Sequence, residues 1–251
     1  MSILIARLLA GFGLASAAAA GAYYQRALTA GGALLAMLFG TVIIGFGGWA
    51  WSLTLGICFG LTALFAALKQ QQQARQGPVV PDERRRDAVQ VAANGTPLAL
   101  LALAYGTLGQ PPILLAAFAG VLATVSGDTW ASDLGVFSRQ RPRKITTGRP
   151  LPRGASGGIT LFGTAISAGA GLLVGLLLLR FSAVSSPTPV GWWLVTAGLL
   201  SGLIGSLVDS LLNATIPDRH RLSSDLINLL SALAGGMIAM GYAMLALPAL
   251  G

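Results

Sequence analysis

Acidic residues are scarce in this chain. Eight occur in 251 residues: Asp82, Glu83, Asp87, Asp128, Asp133, Asp209, Asp218 and Asp225. Charged residues of both signs make up only 10%, against about 25% in an ordinary soluble domain. With 54% of residues apolar and a mean hydropathy of +0.74, the composition excludes a disordered chain and argues against a water-soluble globular domain. Cysteine is almost absent. The single Cys58 excludes an intrachain disulfide and a cysteine metal site, and reads as a small buried or lipid-facing side chain. The lone histidine, His220, argues against a His-rich metal site or a Ser-His-Asp triad and reads as a solvated loop residue. Lys and Arg total 16, so the net charge is +8. An acid near hydrocarbon is costly and usually functional, so each of the eight deserves its own reading.

What is abundant is apolar length. A membrane helix needs about 20 mainly apolar residues. Six stretches qualify, roughly 3–22, 88–108, 110–127, 158–181, 191–213 and 225–248. The uncharged run from about 29 to 68 is too long for one crossing and divides at Gly45-Phe46-Gly47-Gly48. The expected fold is therefore all-α, a polytopic membrane helix bundle of about eight spans, with seven as the variant lacking that hairpin. The whole chain, 1–251, reads as a single transmembrane domain. The first stretch reads as a membrane helix, with processing at Ala17–Ala20 the minor alternative. Loops 69–87, 135–157 and 214–224 carry the basic residues, and the alternate loops at 45–48, 107–111 and 182–190 carry none. The positive-inside rule puts the basic loops in the cytoplasm. Tyr23, Tyr24, Trp49, Trp51, Trp192 and Trp193 fall at span ends and read as interfacial anchors. Gln70–Gln73 and Gly77-Pro78 read as a polar linker, and nothing points to nucleic acid.

Four polar clusters sit at the cytoplasmic ends of spans. Asp87, Gln90 and Asn94 share one helix face, read either as a ligand face or as interhelical bonding with Asp87 as helix cap. In Gly127-Asp-Thr-Trp-Ala-Ser-Asp-Leu-Gly135, Asp128 and Asp133 cannot both point into lipid. They suit magnesium, which takes oxygen ligands and is usually held by one or two carboxylates plus substrate phosphates, or they pair with nearby arginines. Loop 143–158 interleaves Arg143, Lys144, Arg149 and Arg153 with Thr146, Thr147, Gly154, Ser156, Gly157 and Gly158. Guanidinium matches phosphate, glycines admit backbone amides to an anion, and a helix beginning near Ile159 would add its positive end. The competing reading is a positive-inside loop touching anionic lipid. Gly163, Ser167 and Gly171 read as a packing seam. Ser206, Asp209 and Asn213 share a face, with Asp209 about a turn inside its span and the most costly acid here. Asp225 and Asn228 open the last span, whereas Asp82, Glu83 and Asp218 read as solvated loop acids.

The carrying segments are Arg86-Asp-Ala-Val-Gln-Val-Ala-Ala-Asn-Gly95, Gly127–Gly135, Ile145-Thr-Thr-Gly-Arg-Pro-Leu-Pro-Arg-Gly-Ala-Ser-Gly-Gly158 and Gly205-Ser-Leu-Val-Asp-Ser-Leu-Leu-Asn-Ala-Thr215. Through them the chain resembles the membrane family of the plant and cyanobacterial phytyl-phosphate kinases of tocopherol synthesis. That family also holds an uncharacterised animal transmembrane protein. The chain departs from the pattern at Asp133, where Glu is expected, at Ala155, where Thr is usual, and at Asn213, where Gly is usual.

The resemblance implies phosphorylation of a long-chain isoprenyl monophosphate to the diphosphate by a nucleoside triphosphate such as CTP, with Mg2+. Asp128, Asp209 and Arg149 are then the candidate catalytic residues, and Asp128, Asp133 and Asp209 the candidate metal ligands. Lys144, Thr146, Thr147, Arg153, Gly154, Ser156, Gly157 and Gly158 are the candidate phosphate binders. Gln90, Asn94, Asn213 and Asn228 are candidates for orienting acceptor or ribose. The expected setting is a bacterial inner or thylakoid membrane, with the active side toward the cytoplasm. The rival readings are a transporter or flippase of phosphorylated lipids and a cytidylyltransferase acting on a lipid phosphate.

Overall fold

A computed structural model describes residues 2–75, 85–185, 190–216 and 224–247. The expectations for Asp82, Glu83, Asp218, His220 and Gly77-Pro78 lie outside the described residues. Among the described residues there are eight α-helices: α1 (Ser2–Tyr24), α2 (Ala30–Val42), α3 (Gly48–Ala74), α4 (Ala88–Thr107), α5 (Pro112–Leu134), α6 (Leu161–Ser185), α7 (Trp192–Thr215) and α8 (Ser224–Ala246). A π-helical segment, Ile43–Gly47, joins α2 to α3.

Among the described residues, seven helical stretches are long and apolar enough to cross a membrane, one of them the 45-residue Ala30–Ala74. That stretch reverses direction at Gly47–Gly48, so it contributes two crossings. Its first half runs beside α4: Gly32 lies against Arg86, Gly95 against Phe39 and Gly106 against Phe46. Its second half returns beside α5. Trp51 stacks on Phe118, Trp130 Nε1 donates to Thr62 Oγ1 at 2.8 Å, and Lys69 reaches Asp133. The reversal needs glycine, since Gly48 has φ +74° and any larger residue there is strained. Among the described residues the bundle thus makes the eight crossings expected, with Lys69–Arg75, Arg85–Asp87 and 135–157 at one end, the basic end.

α5 is the central helix. Every residue from Leu115 to Thr124 is buried. Lipid is as apolar as leucine, so helix association depends on close backbone approach and on interhelical hydrogen bonds. α5 meets α8 through Gly120 and Gly235, while Thr124 Oγ1 donates to the Ser201 carbonyl of α7 at 2.9 Å. Gly171 of α6 packs on Gly198 and Gly202 of α7, as the expected seam requires. α1 is peripheral. It packs on α2 and the π segment and exposes Ile5, Leu9 and Phe12.

Four expectations are corrected. Trp51 is 1% exposed and stacked between Tyr105 and Phe118, so it is core, and Trp193 is also buried. Tyr23, Tyr24, Trp49 and Trp192 remain exposed. α5 does not stop near 127 but runs through Leu134, because nothing in Asp128–Leu134 breaks a helix and the acids find partners. Gln70–Gln73 belongs to α3, which continues past its apolar part. Loop 135–157 is not wholly irregular. Arg143–Lys144 (β1) pairs antiparallel with Gly158–Ile159 (β2), which delays α6 to Leu161.

Candidate functional site

The basic end encloses a cleft of about 1090 Å³. Its walls come from α3, α5, α6, α7, the α1–α2 connection, the segment before α4 and the loop Arg153–Gly158. Among the described residues, five cations line it (Arg26, Lys69, Arg85, Arg86 and Arg153) against three acids (Asp128, Asp133 and Asp209). The excess suits an anionic ligand.

The two acids ranked highest from sequence converge. Asp128 of α5 and Asp209 of α7 are hydrogen-bonded through their carboxyls. Asp209 is further held by Asn213 Nδ2, which donates to Oδ2 at 2.9 Å, and by Ser231 Oγ, which donates to Oδ1 at 3.2 Å. The Asn228 amide, turned so that both its ends are satisfied, donates to the same Oδ1 at 3.3 Å. α7 and α8 thus fix one carboxylate, and α5 presents the other to it. Two carboxyls in contact need a shared proton or a cation between them. Ser206 Oγ donates to Ser167 Oγ at 2.8 Å, and Ser167 Oγ donates to the Gly127 carbonyl at 3.2 Å, so hydroxyls continue this polar floor.

These donors are all oxygens near one another. Among the described residues, no group of three His, Cys, Asp or Glu side chains gathers to hold a metal. A carboxylate pair without a full protein cage fits magnesium, which keeps sites open for water and substrate phosphate. Asp133 lies a turn beyond Asp128, and its Oδ1 accepts from Lys69 Nζ at 3.0 Å. That ion pair ties α3 to α5 at the cleft wall.

The glycine loop is built by short-range bonds. Ile145 N donates to the Gly157 carbonyl at 3.1 Å, and Leu151 N donates to the Pro142 carbonyl at 2.8 Å. Gly157 has φ +73° and sits directly against Ala214 of α7. Arg153, Gly154, Ser156, Gly157 and Gly158 all line the cleft, as does Asn213. The rest of the motif turns away. Gly148 N donates to the Lys144 carbonyl at 2.8 Å, and Arg143 Nη1 donates to the Gly148 carbonyl at 3.0 Å. This tight turn leaves Thr146, Thr147 and Arg149 exposed, and none of them, nor Lys144, lines the cleft. The expected helix start near Ile159 also shifts. Thr160 Oγ1 caps Gly163 N at 3.0 Å, so the α6 terminus already spends one of its amides.

Asp87 is a helix cap, accepting from Gln90 N at 3.0 Å. Gln90 and Asn94 are half-buried on α4 and do not line the cleft. Asn228 does not line it either but bonds to Asp209, as noted. Sequence reasoning missed Ser231, Lys69 and the arginines Arg26, Arg85 and Arg86 as site residues. The sequence signal for the cations was their position just outside apolar spans, shared with every basic-loop residue.

Residues 13–245 match the family described as Integral membrane protein DUF92. The chain belongs to that family. It is 40% identical to Protein PGR of Arabidopsis thaliana over 115 residues, 43% of this chain and 40% of the plant protein. It is 32% identical to an uncharacterized membrane protein of Methanocaldococcus jannaschii over 160 residues, 63% of each chain. A membrane protein of Synechocystis is 27% identical over 226 residues, 86% of this chain and 83% of that one. The matches to the plant and archaeal relatives thus span less than two thirds of those proteins. No solved structure matches. Plant and cyanobacterial relatives within one integral membrane family agree with the resemblance carried by the four clusters.

Proposed function

We propose that the protein is a membrane-embedded phosphotransferase that moves the terminal phosphoryl group of a nucleoside triphosphate such as CTP onto a long-chain isoprenyl monophosphate. The observation that carries this reading is the Asp128–Asp209 pair at the floor of a cleft ringed by five cations and a glycine turn. Phosphoryl transfer asks a protein mainly for positioning and for neutralisation of developing charge. Asp128 and Asp209 would hold Mg2+, whose positive charge would offset that of the phosphates.

The chain's own residues divide the remaining work. Asn213, Ser231 and Asn228 hold Asp209 in one orientation. Arg153 and Gly154–Gly158 line the cleft where donor phosphates would lie. Lys69 lines the cleft beside its partner Asp133, within reach of a phosphate oxygen there. An oxygen of the acceptor phosphate forms the new P–O bond, the bond to the donor's bridging oxygen breaks, and the nucleoside diphosphate leaves with that oxygen's negative charge. Lys69 and Arg153 stabilise that charge. The polar groups gather at one end of the bundle while α5 is sealed from Leu115 to Thr124, which favours a transferase over a conduit.

The direct test is purified protein in nanodiscs with phytyl phosphate, Mg2+ and CTP or ATP. Phytyl diphosphate and nucleoside diphosphate in equal amounts are expected. No diphosphate with any nucleoside triphosphate would overturn the proposal. Pyrophosphate release from CTP would mark a cytidylyltransferase instead.

A further inference from the structure

The transferase reading leaves three cations of the cleft without a role. Arg26 follows α1, and Arg85 and Arg86 precede α4. The two segments are stitched together by backbone. Arg86 N donates to the Ala27 carbonyl at 2.9 Å, Thr29 N donates to the Arg86 carbonyl at 3.1 Å, and Leu28 and Arg86 form a parallel bridge. Arg26 adopts a left-handed backbone, φ 60°, which a non-glycine residue rarely takes. Arg26 N bonding to the Tyr23 carbonyl at 3.0 Å and Ala27 N to the Ala22 carbonyl at 2.9 Å hold it there. The chain therefore spends backbone order on placing these arginines at one wall, in segments distinct from the loop that carries Arg153.

The height of that wall identifies its ligand. Tyr23 and Tyr24 immediately precede it, packed edge-to-face at 5.8 Å, and Tyr24 is 82% exposed. Exposed tyrosines at a span end mark the membrane–water interface. α1 below them offers Ile5, Leu9 and Phe12 to lipid. A lipid arriving from the α1 side would bring its headgroup to Arg26 first, whereas a soluble nucleotide reaches the cleft from the water side, past loop 143–158. A phosphate monoester carries about −1.5 to −2 charges at neutral pH, and guanidinium forks match its oxygens.

We infer that Arg26, Arg85 and Arg86 form a headgroup subsite for a membrane-borne phosphate monoester, separate from the nucleotide subsite at Arg153 and Gly154–Gly158. The acceptor role of that lipid rests on the transferase reading; the binding itself does not. The test compares wild type, Arg26→Gln, Arg86→Gln and Arg153→Gln in nanodiscs. Glutamine leaves the backbone stitching intact, and Arg26→Lys restores charge without the fork. Binding of radiolabelled phytyl phosphate doped into the discs is measured without nucleotide, then KM for each substrate. Arg26→Gln and Arg86→Gln should each weaken lipid binding and raise the acceptor KM about tenfold, leaving the nucleotide KM within about twofold, with partial rescue in Arg26→Lys. Arg153→Gln should do the reverse. A rise in nucleotide KM at Arg26 or Arg86, or competition by inorganic phosphate as strong as by the lipid, would overturn the subsite. If wild type turns over no donor at all, the kinase reading fails, while loss of lipid binding in the arginine variants still upholds the subsite.

Discussion

Gly157→Ala tests whether loop 153–158 belongs to the working site. Gly157 has φ +73°, so alanine there costs about 1 kcal/mol in backbone alone. The added Cβ would lie 2.7 Å from Ala214 Cβ and 2.8 Å from Ala214 Cα and N. Ordinary contact begins at 3.4 Å, so the loop must retreat by about 0.7 Å from α7. Overpacking of that kind costs about 1–3 kcal/mol. The last turn of α7 also carries Asn213, which braces Asp209. A shift of about 1 Å in a positioned reactive group costs about 10²-fold in rate. The eight helices are untouched, so expression and thermal unfolding should change little. Gly148→Ala is the control. Its φ is +68°, nothing lies within 4 Å of the new Cβ, and it does not line the cleft. It meets only the backbone cost and should retain most activity. The assay is diphosphate formation in nanodiscs, paired with limited proteolysis of loop 143–158, which reads loop displacement whatever the activity is. Gly157→Ala with wild-type turnover and wild-type cleavage rate would refute the reasoning.

Other substitutions probe the acids and the packing. Asp128→Asn keeps the shape and a hydrogen bond to Asp209 while removing a charge, so the protein should fold normally, lose turnover by about 10³-fold or more and lose any Mg2+-dependent thermal stabilisation. Retained Mg2+-dependent turnover would contradict the assignment. Lys69→Met leaves Asp133, whose side chain is 12% exposed, without its partner. With Lys69 itself a third exposed, the loss in stability should be about 1–2 kcal/mol, and adding Asp133→Asn should recover most of it in thermal unfolding. Gly235→Ala drives a methyl into Thr124 Oγ1 and the Gly120 carbonyl, with nowhere to move in the α5–α8 seam. It should cost about 3 kcal/mol or more, read as lost monodisperse protein.

The helices were legible because lipid imposes a simple rule of apolar length, and alternating basic loops gave the topology. The same-face spacing of Ser206, Asp209 and Asn213 was also legible, since it is a local property of one helix. Contacts between helices were not. Asp128 finds Asp209 only through the packing of α5 on α7, and Lys69 and Asp133 are 64 positions apart. The placement of the Thr-Thr-Gly-Arg motif was not legible, for a local reason. Its residues close a turn on Lys144, and that turn points Thr146, Thr147 and Arg149 into water. Trp51 misled because a tryptophan near a span end reads as an anchor until a stacking partner such as Phe118 is in place.

The second crossing is short. The 13 residues of α2 and the five of the π segment rise about 27 Å at about 1.5 Å each, less than the roughly 30 Å of hydrocarbon they span. α3, with 27 residues, is about 40 Å long and carries its glutamines beyond the bilayer. Such a mismatch is met by thinning the adjoining leaflets. A bilayer thinned beside α2 would carry its headgroups lower against the cleft there. The bilayer itself would then act as a ramp toward the arginine wall, steeper in thick membranes than in thin ones.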